Sequence, residues 1–332
     1  MKDLTLGQDL RIAPARAERR RRYLRWTLHN VVWIWLVALV LGFGMFNRFF
    51  LTVANMQNIT VQATVLGMLG LAVALPLLVA EIDLSIPANL GFSSAIGALA
   101  YSSFGLPWVP AMLVGVAVAT AIGFFNGLCI TRMRMVSLIE TLAMMIILQG
   151  ALLAITQGKT LTDMSDGYVW IGQATLGGWP IMPLVFILAL VAITVLLRRT
   201  VFGRSIYAVG GNSAASYAAG IRVNRVKVVI YTISGFLAGL GGFLLASWQM
   251  AITSNQGSSY LLYAIAAPII GGVSVFGGRG NVLGVLGGVM LLTVIQVGLA
   301  IVSVPSFYVG TIGGVMIFIA VAIDALRVRY FA

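Results

Sequence analysis

Cysteine and histidine each occur once in this chain, and acidic residues only nine times in 332. The lone Cys129 lies inside an apolar run, so a disulfide within the chain and a cysteine metal site are both excluded. His29 is the one histidine, and Ser–His or Cys–His catalysis would have to use it with no nucleophile beside it. Neither a metal nor a cofactor is expected. Charged residues make up 9% of the chain against 60% hydrophobic, where globular domains carry about 25% charged. Mean hydropathy is +1.01. A water-soluble fold would lack the polar surface to cover itself. The ten-residue alternation of a β-barrel is also missing. Continuous apolar runs of about twenty residues stand in its place, so the expected class is an all-α, polytopic membrane protein in the lipid bilayer.

Ten spans are expected, at about 28–46, 59–79, 88–104, 108–130, 136–156, 181–197, 228–250, 261–276, 282–304 and 307–326. A basic tail (1–27) precedes this transmembrane domain (28–326), and a short tail (327–332) follows it. "RAERRRRYLRW" before the first run resembles a signal peptide, but no small-residue cleavage site follows, so it reads as a start-transfer anchor. With the N-terminus inside and sides alternating, 19 of the 21 Lys and Arg fall inside, leaving Arg48 and Lys159 outside. That asymmetry predicts an N-in, C-in topology. The net charge of +12 is therefore topological. No basic stripe carries interleaved aromatics, and no nucleic-acid partner is expected.

One inside loop, 198–227, is far longer than the others. Within it "SAASYAAGI" predicts a short helix lying along the membrane surface, with Asn212 and Ser213 at its N-cap and Gly220 as its stop. The outer segment 157–180 carries Asp163, Asp166, Tyr168, Trp170 and Trp179. Its aromatics are expected to form an interfacial belt, the alternative being a docking surface for an external partner. The 38 glycines, as in "GFLAGLGGFLLA", fit close helix packing in lipid.

Nucleotide motifs are absent. "LAITQGKT" has Leu153 where a phosphate loop needs its first glycine, and "GGRGNVLG" has Leu283 at the third glycine position. If ATP drives this protein, another subunit hydrolyses it, and the chain is not itself an enzyme.

The acids are the remaining candidates, because a charge within a bilayer costs about 2.5–3.5 kcal/mol even on the lenient insertion scale. Asp324 has Arg327 and Arg329 beside it, and Glu140 has Arg132 and Arg134 within reach as partners. "LVAEIDLSIPA" (78–88) is harder to place. Glu81 and Asp83 are two apart and would face opposite sides of a helix. Pro87 biases Ile86 away from helix. The stretch is expected to be a break between crossings, on or dipping from the cytoplasmic side, with Asp83 holding it, the alternative being a solvated cytoplasmic loop.

These residues bring a resemblance into view. "GRSIYAVGGNSAASYAAGIRVNRVKVVIYTISGFLAGLGG" (203–242) resembles the cytoplasmic loop of permeases of ribose-type, simple-sugar ABC importers. Gly203, Arg204, Ala208, Gly210, Asn212, Ala215, Gly220 and Ile221 fit that family's pattern, as do Val223, Lys227, Tyr231, Ser234 and Gly235. "AIAAPIIGGVSVFGGRG" (264–280), with Gly271, Gly272 and Ser274, is similar to a second family motif. "GFFNGL", with Asn126, and "EIDLS", with Asp83 and Ser85, match two more. Glu81 replaces a glycine usual in the family.

The resemblance implies the permease of an importer in the bacterial inner membrane, moving a sugar or polyol. It implies a second permease subunit, a cytoplasmic ATP-binding cassette ATPase docked on loop 198–227, and a periplasmic sugar-binding protein. Glu81, Asp83, Ser85, Asn126, Glu140, Gly271, Gly272 and Ser274 are the candidates for the translocation pathway or its helix breaks. A branched-chain amino acid permease of the same superfamily is the alternative, and an ion-coupled carrier using the acids a further one.

Overall fold

A computed structural model describes residues 31–305 and, beyond them, 308, 310–312, 314, 315 and 318. The basic tail, the tenth expected span, Asp324 and the C-terminal tail lie wholly or mostly outside the described residues.

A helix overlaps each of the other nine expected spans. These are α1 (Val31–Phe46), α2 (Val53–Leu78), α3 (Ile86–Ser102), α4 (Trp108–Arg132) and α5 (Ser137–Thr156). After them come α7 (Met182–Arg199), α10 (Val223–Gln249), α11 (Leu261–Ile270) and α12 (Val282–Ile301). Six of them, α2, α4, α5, α7, α10 and α12, are long and apolar enough to cross a membrane. The outer segment folds into α6 (Asp166–Gln173) and a two-residue-per-strand hairpin, β1 (Thr175–Leu176) with β2 (Trp179–Pro180). The long loop holds α8 (Val201–Gly211) and α9 (Ser213–Ala218).

Helix α2 is the centre. Its most apolar stretch is 94% buried, whereas those of α5 and α7 are 22% buried and turn apolar faces outward. Helix α10 packs on α2, α3 and α4, and α12 on α1, α2 and α11. Exposed leucines and isoleucines on α5 and α7, such as Ile146, Ile147 and Leu188, are what a lipid-facing surface requires. The glycines of "GFLAGLGGFLLA" serve close crossing: a Cβ on Gly235 of α10 would fall on the Ala119 carbonyl of α4.

Pro76 lies inside α2 and has no N–H to give to the Ala72 carbonyl. The buried hydroxyl of Ser234, on α10, donates to that carbonyl at 2.7 Å. One side chain thus closes the gap in the ladder and ties the two central helices together.

The expectations change in several places. Helices α2 and α10 begin at Val53 and Val223, ahead of the expected 59 and 228, and α11 ends at Ile270, short of the expected 276. Helix α3 begins at Ile86, two residues earlier than expected; Pro87 does not keep Ile86 out of the helix but sits in its first turn, where a missing N–H is harmless. Tyr168 is no belt residue: it is 1% exposed and packs edge-on against Phe243 of α10 at 5.0 Å. Trp170 and Trp179 are the exposed aromatics of that segment. The long loop also holds a helix, α8, before the one expected. Thr200 caps it by accepting from the Gly203 N–H at 2.9 Å.

Candidate functional site

Residues 79–85 join α2 to α3 as a non-helical break. Ala80 takes a left-handed conformation (φ 61°), which turns the chain away from the axis of α2. Two hydroxyls of α5 then anchor the extended part. The Leu84 N–H donates to Thr141 Oγ1 at 3.1 Å, and the Ile82 N–H reaches Ser137 Oγ at 3.5 Å.

Asp83 is 3% exposed. Its Oδ1 accepts from the Ser85 N–H at 2.9 Å and from the Ser85 hydroxyl at 2.6 Å. This local side-chain turn starts α3. Burial lifts the Asp83 carboxyl above the usual carboxylate range, against the pull of the two Ser85 hydrogen bonds. The Asn126 amide of α4 lies 2.9 Å from Ser85 Oγ. Its other end faces Glu140 Oε1 of α5 at 3.2 Å. The resemblance named Asp83, Ser85 and Asn126 from separate motifs, and Glu140 was a candidate for its charge alone. The fold gathers all four into one buried cluster. Glu140 forms no ion pair with Arg132 or Arg134 among the described residues; its neighbour is Asn126.

Glu81 pairs instead with Lys227 Nζ, in the first turns of α10. The sequence marked Lys227 as part of a motif but not as the partner of Glu81. Its partner is 146 residues away and no local pattern connects them.

The long loop meets the end of α2 at the same break. The buried Gly210, near the end of α8, sits so close to the end of α2 that a Cβ there would fall on the Leu78 carbonyl oxygen. That oxygen accepts from the Gly278 N–H at 3.0 Å. The turn carrying Gly278 is held to the loop by two more bonds. Tyr207 Oη donates to the Gly280 carbonyl at 3.1 Å, and Arg198 donates to Asn281 Oδ1 at 2.7 Å. Helix α8 therefore wedges between the break and the 271–281 turn.

Beyond Gly210 the loop turns outward. Asn212 Oδ1 accepts from the Ala215 N–H at 2.9 Å and caps α9, and Gly220 closes it with φ 83°. Arg204, Ala208, Asn212, Ala215 and Gly220 are exposed, while Gly203 is buried against the end of α7 and Ile221 is half-buried. Gly271 stands apart from the break, packed against the backbone of Gly284 in α12, and Gly272 follows with φ 86°. Ser274 accepts from the Phe276 N–H at 3.2 Å within the turn. No group of three or more His, Cys, Asp or Glu suited to a metal occurs among the described residues.

An exposed loop is wedged against the break between α2 and α3. Known proteins share the chain's sequence along nearly its full length. The chain is 37% identical to the ribose import permease protein RbsC of Bacillus subtilis, over 87% of this chain and 90% of that protein. It is 33% identical to the L-arabinose ABC transporter permease protein AraH of Azospirillum brasilense, over 96% and 93%. It is 32% identical to the D-allose transport system permease protein AlsC of Escherichia coli, over 91% and 93%. A family model described as the branched-chain amino acid transport system / permease component matches residues 55–321. With four-fifths of its length inside that match, this multi-pass membrane chain belongs to the branched-chain amino acid transport system / permease component family.

Proposed function

We propose that this chain is the membrane-spanning permease of a sugar ABC importer in the bacterial inner membrane. Relatives named for ribose, L-arabinose and D-allose support a sugar as cargo. The observation that carries the mechanism is the seat of Gly210 on the Leu78 carbonyl. A push on the exposed surface of α8 and α9 has a rigid path into the end of α2, because no side chain lies between to absorb it. The Glu81–Lys227 pair adds a second tie between the break and the start of α10.

A separate cytoplasmic ATPase supplies that push in this reading, docking on the face of Arg204, Ala208, Asn212 and Ala215. Ten spans with both ends inside put this face in the cytoplasm and residues 157–180 outside, where a sugar-binding protein delivers its cargo. A second permease subunit completes the pathway. The candidate residues act by shaping helix breaks, since a conduit that held sugar tightly would not release it.

The test is reconstitution with a candidate ATPase and binding protein. Replacing residues 203–221 abolishes ATPase co-purification and ATP-driven uptake if the reading holds. Uptake that survives ATP depletion and follows the proton gradient instead would mean a carrier. The family description also names branched-chain amino acids. A partner binding protein that takes leucine and refuses pentoses and hexoses decides for that cargo.

A further inference from the structure

The four side chains between the break, α4 and α5 do not balance as hydrogen-bonding groups when both acids are ionised. Ser85 Oγ has one proton to give, and it lies 2.6 Å from Asp83 Oδ1 and 2.9 Å from one end of the Asn126 amide. The other end of that amide lies 3.2 Å from Glu140 Oε1 and 3.2 Å from the Ile122 carbonyl. An asparagine amide can be turned about its last bond, which exchanges its donor and acceptor ends.

With the amide nitrogen toward Ser85, Asn126 donates to Ser85 and Ser85 donates to Asp83. The amide oxygen then faces Glu140 with no proton between them unless Glu140 carries one. With the nitrogen toward Glu140, Asn126 donates to Glu140 and Ser85 donates to Asn126. The 2.6 Å contact from Ser85 to Asp83 then has no proton unless Asp83 carries it. In either orientation one extra proton on one carboxyl completes the contacts among Asp83, Ser85, Asn126 and Glu140, and without it one of them has no proton. Ionising both would also leave two carboxylates, 3% and 4% exposed, with no ion-pair partner among the described residues.

We propose that Asp83 and Glu140 form one proton-binding site, holding a shared proton at neutral pH, with the Asn126 amide turning as the proton changes owner. Two features place the resting proton on Asp83. The Ile122 carbonyl can only accept, so it favours the amide nitrogen on its side, which is also the Glu140 side. Glu140 lies in the first turn of α5, where the helix N-terminus favours an ionised carboxylate. In the other state the O–H bond lost at Asp83 is gained at Glu140, and no other group changes charge. Among the described residues the surrounding groups supply no counter-charge. Lys227 of α10 is taken by Glu81, and neither a tyrosine nor a cysteine, such as Tyr231 of α10 and Cys129 of α4, can carry a positive charge. The inference rests on these contacts and not on the cargo or the ATPase.

Infrared spectroscopy tests it on the purified full chain in a detergent that has no carbonyl group. The wild-type protein is expected to show a protonated-carboxyl band at neutral pH that shifts in heavy water. Carbon-13 labelling of aspartate carboxyls moves that band. Glu140→Gln removes the neighbouring negative charge, so the band persists but its titration midpoint falls to lower pH. Absence of the band in the wild type overturns the proposal, as does a band that the aspartate label leaves in place. A Glu140→Gln midpoint equal to the wild-type one overturns it too. The labelling arm uses the wild-type chain alone and decides the matter even if the variant fails to fold.

Discussion

The hydroxyl of Ser234 donates to the carbonyl of Ala72, the one that Pro76 leaves without its helical donor. The proline and the serine are therefore a matched pair on two different helices. Ser234→Ala orphans a buried carbonyl and is expected to cost about 1–3 kcal/mol. Adding Pro76→Ala restores an N–H to that carbonyl, so the double variant recovers most of the loss. Thermal unfolding of the four proteins in detergent checks this. Equal losses for Ser234→Ala with and without Pro76 would show that the bond is incidental.

Asn212 caps α9 through the Ala215 N–H. Asn212→Ala is expected to remove about 0.5–2 kcal/mol from this six-residue helix. Because the site is exposed, the effect is local fraying and not global unfolding. Faster amide exchange at 214–218 is the expected signature, together with weaker ATPase association, and Asn212→Asp retains both.

Gly210 and Gly211 make a controlled comparison. A Cβ on Gly210 collides with the backbone at Leu78, which no rotamer change relieves, whereas a Cβ on Gly211 meets nothing within 4 Å. Gly210→Ala is expected to cost about 1–3 kcal/mol as an overpacking change and to lower coupled uptake several-fold. Gly211→Ala leaves both within error and gains slightly in helix propensity. The two variants are compared by thermal unfolding and by uptake in the reconstituted importer.

The elements legible in the sequence were those set by local rules. Hydropathy located nine helices, and Asn212 with Gly220 marked the bounds of α9 because a cap and a stop are local chemistry. Helix α8 was not visible. Gly203, Gly210 and Gly211 read as loop residues, since each glycine costs a helix about 1 kcal/mol. Close contact with α7 and α2 overrides that cost at Gly203 and Gly210. The junction was half legible. The i, i+2 acids and Pro87 marked a break, but Asp83 and Glu81 find their partners by different routes. Ser85 is two residues from Asp83, whereas Lys227 is 146 from Glu81 and Ser234 is 162 from Ala72. Contacts at such separations leave no periodicity to read.

Glu81 and Lys227 are the ion pair that joins the break to α10, with side chains 13% and 19% exposed. Such a pair is neither solvated nor fully buried. Its loss is expected to cost about 1–3 kcal/mol, between the figures for exposed and for buried pairs. Glu81→Gln leaves the Lys227 ammonium without its carboxylate and lowers both the unfolding temperature and coupled uptake. Lys227→Gln does the same from the other side. Because the two act through one contact, the double variant Glu81→Gln/Lys227→Gln loses less than the sum of the singles. Exchanging the charges, Glu81→Lys with Lys227→Glu, recovers part of the loss. Raised salt weakens the wild type little, because a mostly buried pair is poorly screened. A strictly additive cycle, or an uptake unchanged in Glu81→Gln, would reduce Glu81 to a surface charge with no part in transmitting motion from the loop to the break.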